Sequence, residues 1–274
     1  TSAPYRLDHL DLEAEGSLDD YRTTLDLAVS GQGLPASRLT LEGHGDRSRF
    51  AWAPLTLSAE GGTLNGRGHV DWSSALAVES EVTLDALPVG AFTDAVDGTL
   101  NGEARIAFDM PAQGWRLRVP DLAIDGTLQD RPLHLDAQLE GNSQMQWVID
   151  RLDLRQGHNR LSATGSIGQR LDLSGRLDAP RLASLWPGLG GALQGDLQAQ
   201  GSLDAPRVSL DLNGESLRFQ TQQVQTLSLQ ARSEGLDDPR VDVDLDVEGL
   251  DAGGQRVETL AATLDGRLSR HTLA

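Results

Sequence analysis

The sequence contains no cysteine and no lysine. All 23 basic residues are arginine. Without cysteine there are no disulfides, thiolate metal sites or cysteine nucleophiles, and the redox compartment is left open. Without lysine there is no Walker A phosphate loop, Schiff base or pyridoxal phosphate site, since each needs an amine. Aromatic residues make up only 4 % of the chain. No apolar run approaches the roughly 18 residues of a membrane-spanning helix. Positive charge is also scarce. With 23 basic and 41 acidic residues the formal net charge is −18, which argues against a nucleic-acid partner. The first residue is Thr1, and no charged n-region with an apolar stretch opens the chain. It therefore reads as a piece of a longer protein, with any signal or anchor outside it.

What is present is one pattern, repeated. Apolar and polar residues alternate over most of the 274 positions. Leu10-Asp11-Leu12-Glu13-Ala14, Leu25-Asp26-Leu27-Ala28-Val29 and Val241-Asp242-Val243-Asp244-Leu245-Asp246-Val247 are examples. A period of two places apolar side chains on one face of a sheet and acids on the other. The 30 glycines and the pairs Asn65-Gly66, Asn101-Gly102 and Asn213-Gly214 read as turns between strands. The spacing predicts an all-β chain with roughly twenty strands. Only Pro88–Ala95 and Arg181–Trp186 lack alternation, and each is expected to be a loop or a single helical turn.

Internal repeats support one continuous β-repeat segment over 1–274, with no domain boundary legible. Gly62-Thr63-Leu64-Asn65-Gly66 returns as Gly98-Thr99-Leu100-Asn101-Gly102. Leu177-Asp178-Ala179-Pro180-Arg181 returns as Leu203-Asp204-Ala205-Pro206-Arg207, and more weakly as Leu236-Asp237-Asp238-Pro239-Arg240. Proline cannot donate to a ladder, so these copies mark strand starts or turns. A Leu-x-Leu-x-small triplet also recurs: Leu39/Leu41/Gly43, Leu55/Leu57/Ala59, Leu133/Leu135/Ala137, Leu171/Leu173/Gly175 and Leu227/Leu229/Ala231. The small residue either lets the sheet curl or simply ends the strand.

Chemistry-bearing motifs do not survive inspection. Gly31-Gln32-Gly33-Leu34-Pro35-Ala36 fits a dinucleotide fingerprint on paper, but a turn and a strand follow where a helix is required. Asp242-Val243-Asp244-Leu245-Asp246 resembles the start of a calcium loop, yet Val247 stands where glycine is needed. The acids instead form an exposed stripe that keeps a long sheet soluble. His9, His44, His69, His134, His158 and His271 form no metal-ligand spacing and look like surface strand positions. There is no G-x-S-x-G elbow. The reading is a non-enzyme with no catalytic residue, no metal and no cofactor.

The stretch Leu177–Leu212 carries a resemblance. Leu182, Leu185, Pro187, Leu189, Gly191, Leu193, Gly195, Gly201, Leu203 and Pro206 follow the repeat of the TamB family: a short apolar segment, proline, Gly-x-Leu-x-Gly, a strand, Gly-x-Leu, then a proline turn and another strand. A looser copy runs from Leu87-Pro88 through Gly98–Gly102. The chain thus resembles an internal segment of that AsmA-like group of bridge-type lipid transfer proteins of the Gram-negative envelope. The resemblance implies an all-β fold: a long curled sheet, or β-taco, whose half-pipe encloses an apolar inner groove. It implies a periplasmic segment of a protein anchored in the inner membrane and linked to outer-membrane protein assembly. Its cargo would be phospholipid. Its partner, met by the full-length protein, would be TamA, an outer-membrane barrel of the Omp85 type. Membrane contact would fall to parts outside this segment.

The residues meet that expectation from below. The groove lining expected from the alternation comprises Leu39, Leu41, Leu55, Leu57, Leu133, Leu135, Leu171 and Leu173 in the first part of the chain. Leu197, Val208, Leu210, Leu212, Leu227, Leu229, Val243 and Leu245 continue it. Such a lining offers an acyl chain about 0.8 kcal/mol per buried CH₂, on the order of 10 kcal/mol for a whole chain. A lipid leaving a bilayer loses a similar amount, so exchange is near neutral, as a conduit needs. Two other classes share the pattern: a structural or adhesive β-solenoid with a dry leucine core, and a chaperone groove that takes outer-membrane strands by edge addition.

Overall fold

The computed structural model describes residues 5–31, 34–91, 93, 96–267 and 269–273. Side chains at 34 and 271–273 lie outside the description. The chain is all-β, built of antiparallel strands with two short 3-10 turns. It divides into two compact units, Thr1–Gln144 and Met145–Ala274.

Unit 1 is a meander of nine strands: β1 (Tyr5–Ser17), β2 (Asp20–Gly31), β3 (Leu34–Gly45), β4 (Arg49–Ala59), β5 (Gly62–Asp71), β6 (Leu76–Pro88), β7 (Gly98–Met110), β8 (Arg116–Leu128) and β9 (Arg131–Asn142). Each pairs antiparallel with the next. Unit 2 repeats the plan with β10 (Trp147–Gln156), β11 (Asn159–Ile167), β12 (Arg170–Ala179), β13 (Leu189–Ser202), β14 (Ala205–Phe219), β15 (Gln222–Glu234), β16 (Arg240–Ala252), β17 (Gln255–Arg267) and β18 (Arg270–Leu273). Two 3-10 turns, Val89–Ala91 and Leu182–Ser184, fall in the two stretches that lack alternation. Part of the first stretch, at 92, 94 and 95, lies outside the described residues. The proline copies sit where proline is tolerated: Pro180 just after β12, Pro206 at the second residue of β14, and Pro239 just before β16.

The three Asn-Gly pairs are not turns. Asn65-Gly66 lies inside β5, Asn101-Gly102 inside β7 and Asn213-Gly214 inside β14. Their glycines sit on the apolar face between large neighbours. Gly66 stands between Leu55 and Val82, Gly102 between Leu84 and Ile124, and Gly214 between Leu193 and Leu227. A Cβ on Gly102 would lie 2.2 Å from the Ala123 carbonyl oxygen, and one on Gly214 would lie 2.6 Å from Leu217 Cδ1. Gly102 needs glycine because neighbouring backbone comes too close, a Cβ on Gly214 would push the Leu217 side chain aside, and Gly66 has room. Asparagine takes the polar face, where the Thr56 hydroxyl donates to Asn65 Oδ1 at 2.9 Å. The Leu-x-Leu-x-small triplets behave in kindred fashion. Gly43, Ala137, Gly175 and Ala231 lie inside their strands, and only Ala59 ends one.

There is little conventional core. Among the described residues the buried apolar side chains are Ala59, Ala137, Ala179, Ala199 and Val247. Cohesion therefore rests on the backbone ladder and on cross-strand pairs.

Candidate functional site

The site is built by register. In unit 1, residues directly opposite one another form the row Leu10, Leu27, Leu39, Leu57, Leu64, Leu84, Gly102, Ile124 and Leu135, one from each strand. Two residues along, a parallel row reads Leu12, Leu25, Leu41, Leu55, Gly66, Val82, Ala104, Leu122 and Ala137. Leu133 belongs to a shorter row through Leu87, Leu100 and Gly126. The six lining positions expected in this unit thus share one sheet face, on adjacent rows.

Unit 2 carries the same device. One row reads Leu154, Leu161, Leu177, Gly195, Leu212, Leu229, Leu245 and Ala262. The next reads Leu152, Ala163, Gly175, Leu197, Leu210, Ala231, Val243 and Leu264. Leu173 and Val208 meet through Ala199 on a third row. Leu171 and Leu227 lie farther along β12 and β15, opposite Gly201 and Val247. Because neighbouring strands are about 4.8 Å apart, each row presents apolar side chains at that interval across the strands. The glycine slots are partly filled by neighbours: Leu212 Cδ2 lies 2.4 Å from where a Gly195 Cβ would be.

All sixteen expected lining residues are half-buried. They are shielded by their row neighbours but not covered. Full burial of a leucine yields about 1.5–3 kcal/mol, and a part of that remains unrealised here.

Sequence reasoning missed an aromatic cluster at one end of these rows in unit 1. Tyr21 stacks on Phe50 with centroids 6.2 Å apart, and Phe50 on Trp52 at 6.5 Å. The rings cover glycines: Tyr21 lies over Gly45, Phe50 over Gly43 and Trp52 over Gly68. The alternation in Phe50-Ala51-Trp52 puts two rings on one face, but only the register brings Tyr21 to them.

The opposite face is polar, and part of its charge is paired across strands. Arg38 donates to Asp26, and Arg155 and Arg160 both donate to Asp153. Those arginines hold the Asp26 and Asp153 carboxyls below the ordinary aspartate range. Asp46 and Asp71 are lowered chiefly by hydrogen bonds from Ser48 and Ser73. Asp242, Asp244 and Asp246 occupy alternate positions of β16, facing Arg232, Gln230 and Ser228, as a stripe rather than a loop. Among the described residues no group of His, Asp or Glu gathers as a metal site. Of the histidines, His9, His44, His69 and His134 are on strands, whereas His158 is in a turn. The side chain of His271 lies outside the described residues, as do Gln32 and Gly33 of the dinucleotide-like stretch, which runs into β3 and not into a helix.

The profile of the TamB N-terminal domain matches residues 1–274. The chain belongs to the TamB family. Its similarity to the translocation and assembly module subunit TamB of Haemophilus influenzae is 25% identity over 231 residues, covering 84% of this chain. The chain spans only 18% of the length of that TamB relative. No solved structure matches. No helix among the described residues is long and apolar enough to cross a membrane.

Proposed function

We propose that this chain is a periplasmic segment of a lipid conduit, in which the leucine rows of each unit accept phospholipid acyl chains. The observation that carries the reading is the half-exposure of every expected lining residue, from Leu39 to Leu245. A dry solenoid core would require those leucines to leave water, yet among the described residues no leucine is buried. An acyl chain lying along a row would complete the burial that the fold leaves undone. The rows repeat the same residue types at each strand, so no position holds the chain much more tightly than the next. Headgroups would remain in water, and no reaction is involved. In the full-length protein the conduit would run between the inner and outer membranes and serve outer-membrane assembly with TamA.

The experiment is native mass spectrometry with lipid extraction on the purified protein. Phospholipid should co-purify with the parent and be lost from Leu210→Arg/Leu229→Arg, while the fold persists by circular dichroism. A clean apo mass that takes up no added phospholipid would reject the conduit and return the chain to a structural module.

A further inference from the structure

On the polar face of unit 1, opposite the leucine rows, lies a concavity of about 550 Å³. Three register irregularities frame it: Trp52/Leu55 between β4 and β5, Arg105/Ala107 between β7 and β8, and Val119/Leu122 between β8 and β9. Extra residues in a ladder bend the strand and re-aim side chains. Here they include Ala53 and Pro120, both of which line the hollow.

Its lining inverts the charge of the molecule. Arg49, Arg67, Arg105 and Arg118 contribute to it, against Glu79 and Glu81, in a chain of net charge −18. Arg49 faces Asp71 across the ladder, which accounts for its charge. Arg67 donates to Glu81. Arg105 reaches that same carboxylate only at 3.9 Å. Arg118 makes no ion pair among the described residues; its ladder partners are Ala107 and Glu140. Glu81 thus serves two guanidiniums; Asp121 stands opposite Arg105 and Glu140 opposite Arg118 across the ladder, but neither is in an ion pair with them among the described residues. Asp121 and Glu140 flank the hollow without lining it. Arg118 faces Ala107, two residues beyond Arg105, so the two arginines are diagonal neighbours, about 7–8 Å apart at the backbone. Between them the surface is apolar, with Ala107 and Pro120.

We infer that this hollow binds a phosphate ester, its phosphate between Arg105 and Arg118 and its apolar substituent on Ala107 and Pro120. Guanidinium forks match phosphate oxygens, and a phosphate offers enough acceptors for both at once. Glu81 already supplies a carboxylate there, so a singly charged ligand gains little by competing. The volume is that of a small-ligand site. The site is on the other face from the acyl rows and does not depend on them.

The test is calorimetric titration of the whole chain with two probes, inorganic phosphate and dihexanoyl phosphatidic acid below its micellar concentration. The ester should bind, and Arg105→Gln/Arg118→Gln should weaken it on the order of tenfold or more. Arg176→Gln, far along in unit 2, should leave it unchanged. Arg118→Gln alone is the second variant, since it breaks no ion pair and cannot unfold the chain by doing so. Inorganic phosphate binding as tightly as the ester would keep the anion site and assign it to free phosphate. No binding of either probe, or equal binding by the arginine variants, would overturn the proposal. Loss of ester binding in Leu210→Arg/Leu229→Arg, with none in the arginine variants, would place the ligand on the leucine rows and also overturn it, leaving the conduit standing.

Discussion

The two units are built from one plan and differ in regularity. In unit 1, seven of the eight strand pairings carry a register shift, and only β5–β6 is free of one. In unit 2 only β10–β11 and β13–β14 do. Unit 1 compensates with rings over glycines and acquires a hollow on its polar face. Unit 2 keeps straighter leucine rows and fastens a different point. There Gln156 Nε2 donates to the Ser184 carbonyl, and Asn159 Nδ2 to the Arg181 carbonyl at 3.0 Å. The Ser184 hydroxyl donates to Gln156 Oε1 at 3.0 Å, and the Arg181 N–H to Asn159 Oδ1 at 3.0 Å. Gln156 and Asn159 are buried, and together they tie the 3-10 turn Leu182–Ser184 to the β10–β11 hairpin. The comparison teaches that an apolar row tolerates bulges provided small residues absorb the misfit.

The largest expected effect tests whether both units serve alike. Leu41→Arg/Leu57→Arg in unit 1 should abolish lipid co-purification as completely as Leu210→Arg/Leu229→Arg in unit 2. Retained lipid in one of the two would confine the lining to the other unit. Next come the glycines. Gly102→Ala forces a Cβ against a carbonyl oxygen and should cost roughly 2–4 kcal/mol in urea unfolding. Gly66→Ala, where the nearest atom is 3.6 Å away, should cost under about 1 kcal/mol. Equal costs would dissolve the distinction between tight and open slots. Asn159→Ala should lose about 1–3 kcal/mol, because it strands buried polar groups in unit 2.

The smallest effect is electrostatic. Asp46 and Asp71 in unit 1 and Asp153 in unit 2 all titrate below the ordinary aspartate range. A lowered folded-state value contributes stability above the unfolded value, about pH 4, and loses it as pH falls through the folded value. Asp71→Asn and Asp153→Asn should therefore lower the melting temperature slightly at pH 7. As the pH falls below the lowered folded-state values the variants and the parent should converge. A difference that persists in acid would assign the effect to packing instead.

Much was legible because a period of two is unambiguous. Val241–Val247 could only be a strand with acids on one face, and the two stretches without alternation became the two 3-10 turns. The Asn-Gly pairs misled because that dipeptide suits a tight turn and also a crowded strand. Local sequence cannot tell which, since the crowding at Gly102 comes from Ala123 and Ile124 on the next strand. Tyr21 over Gly45 was hidden for the same reason.

The sequence by itself determined the all-β class, the separation of apolar from acidic faces, and the residues available to a lining. It did so because side-chain direction in a strand follows from backbone geometry alone. Only the tertiary structure decided which leucines share a row, which glycines are irreplaceable, and where four arginines converge in an acidic chain. Those depend on register and bulges, which are set between strands rather than within them.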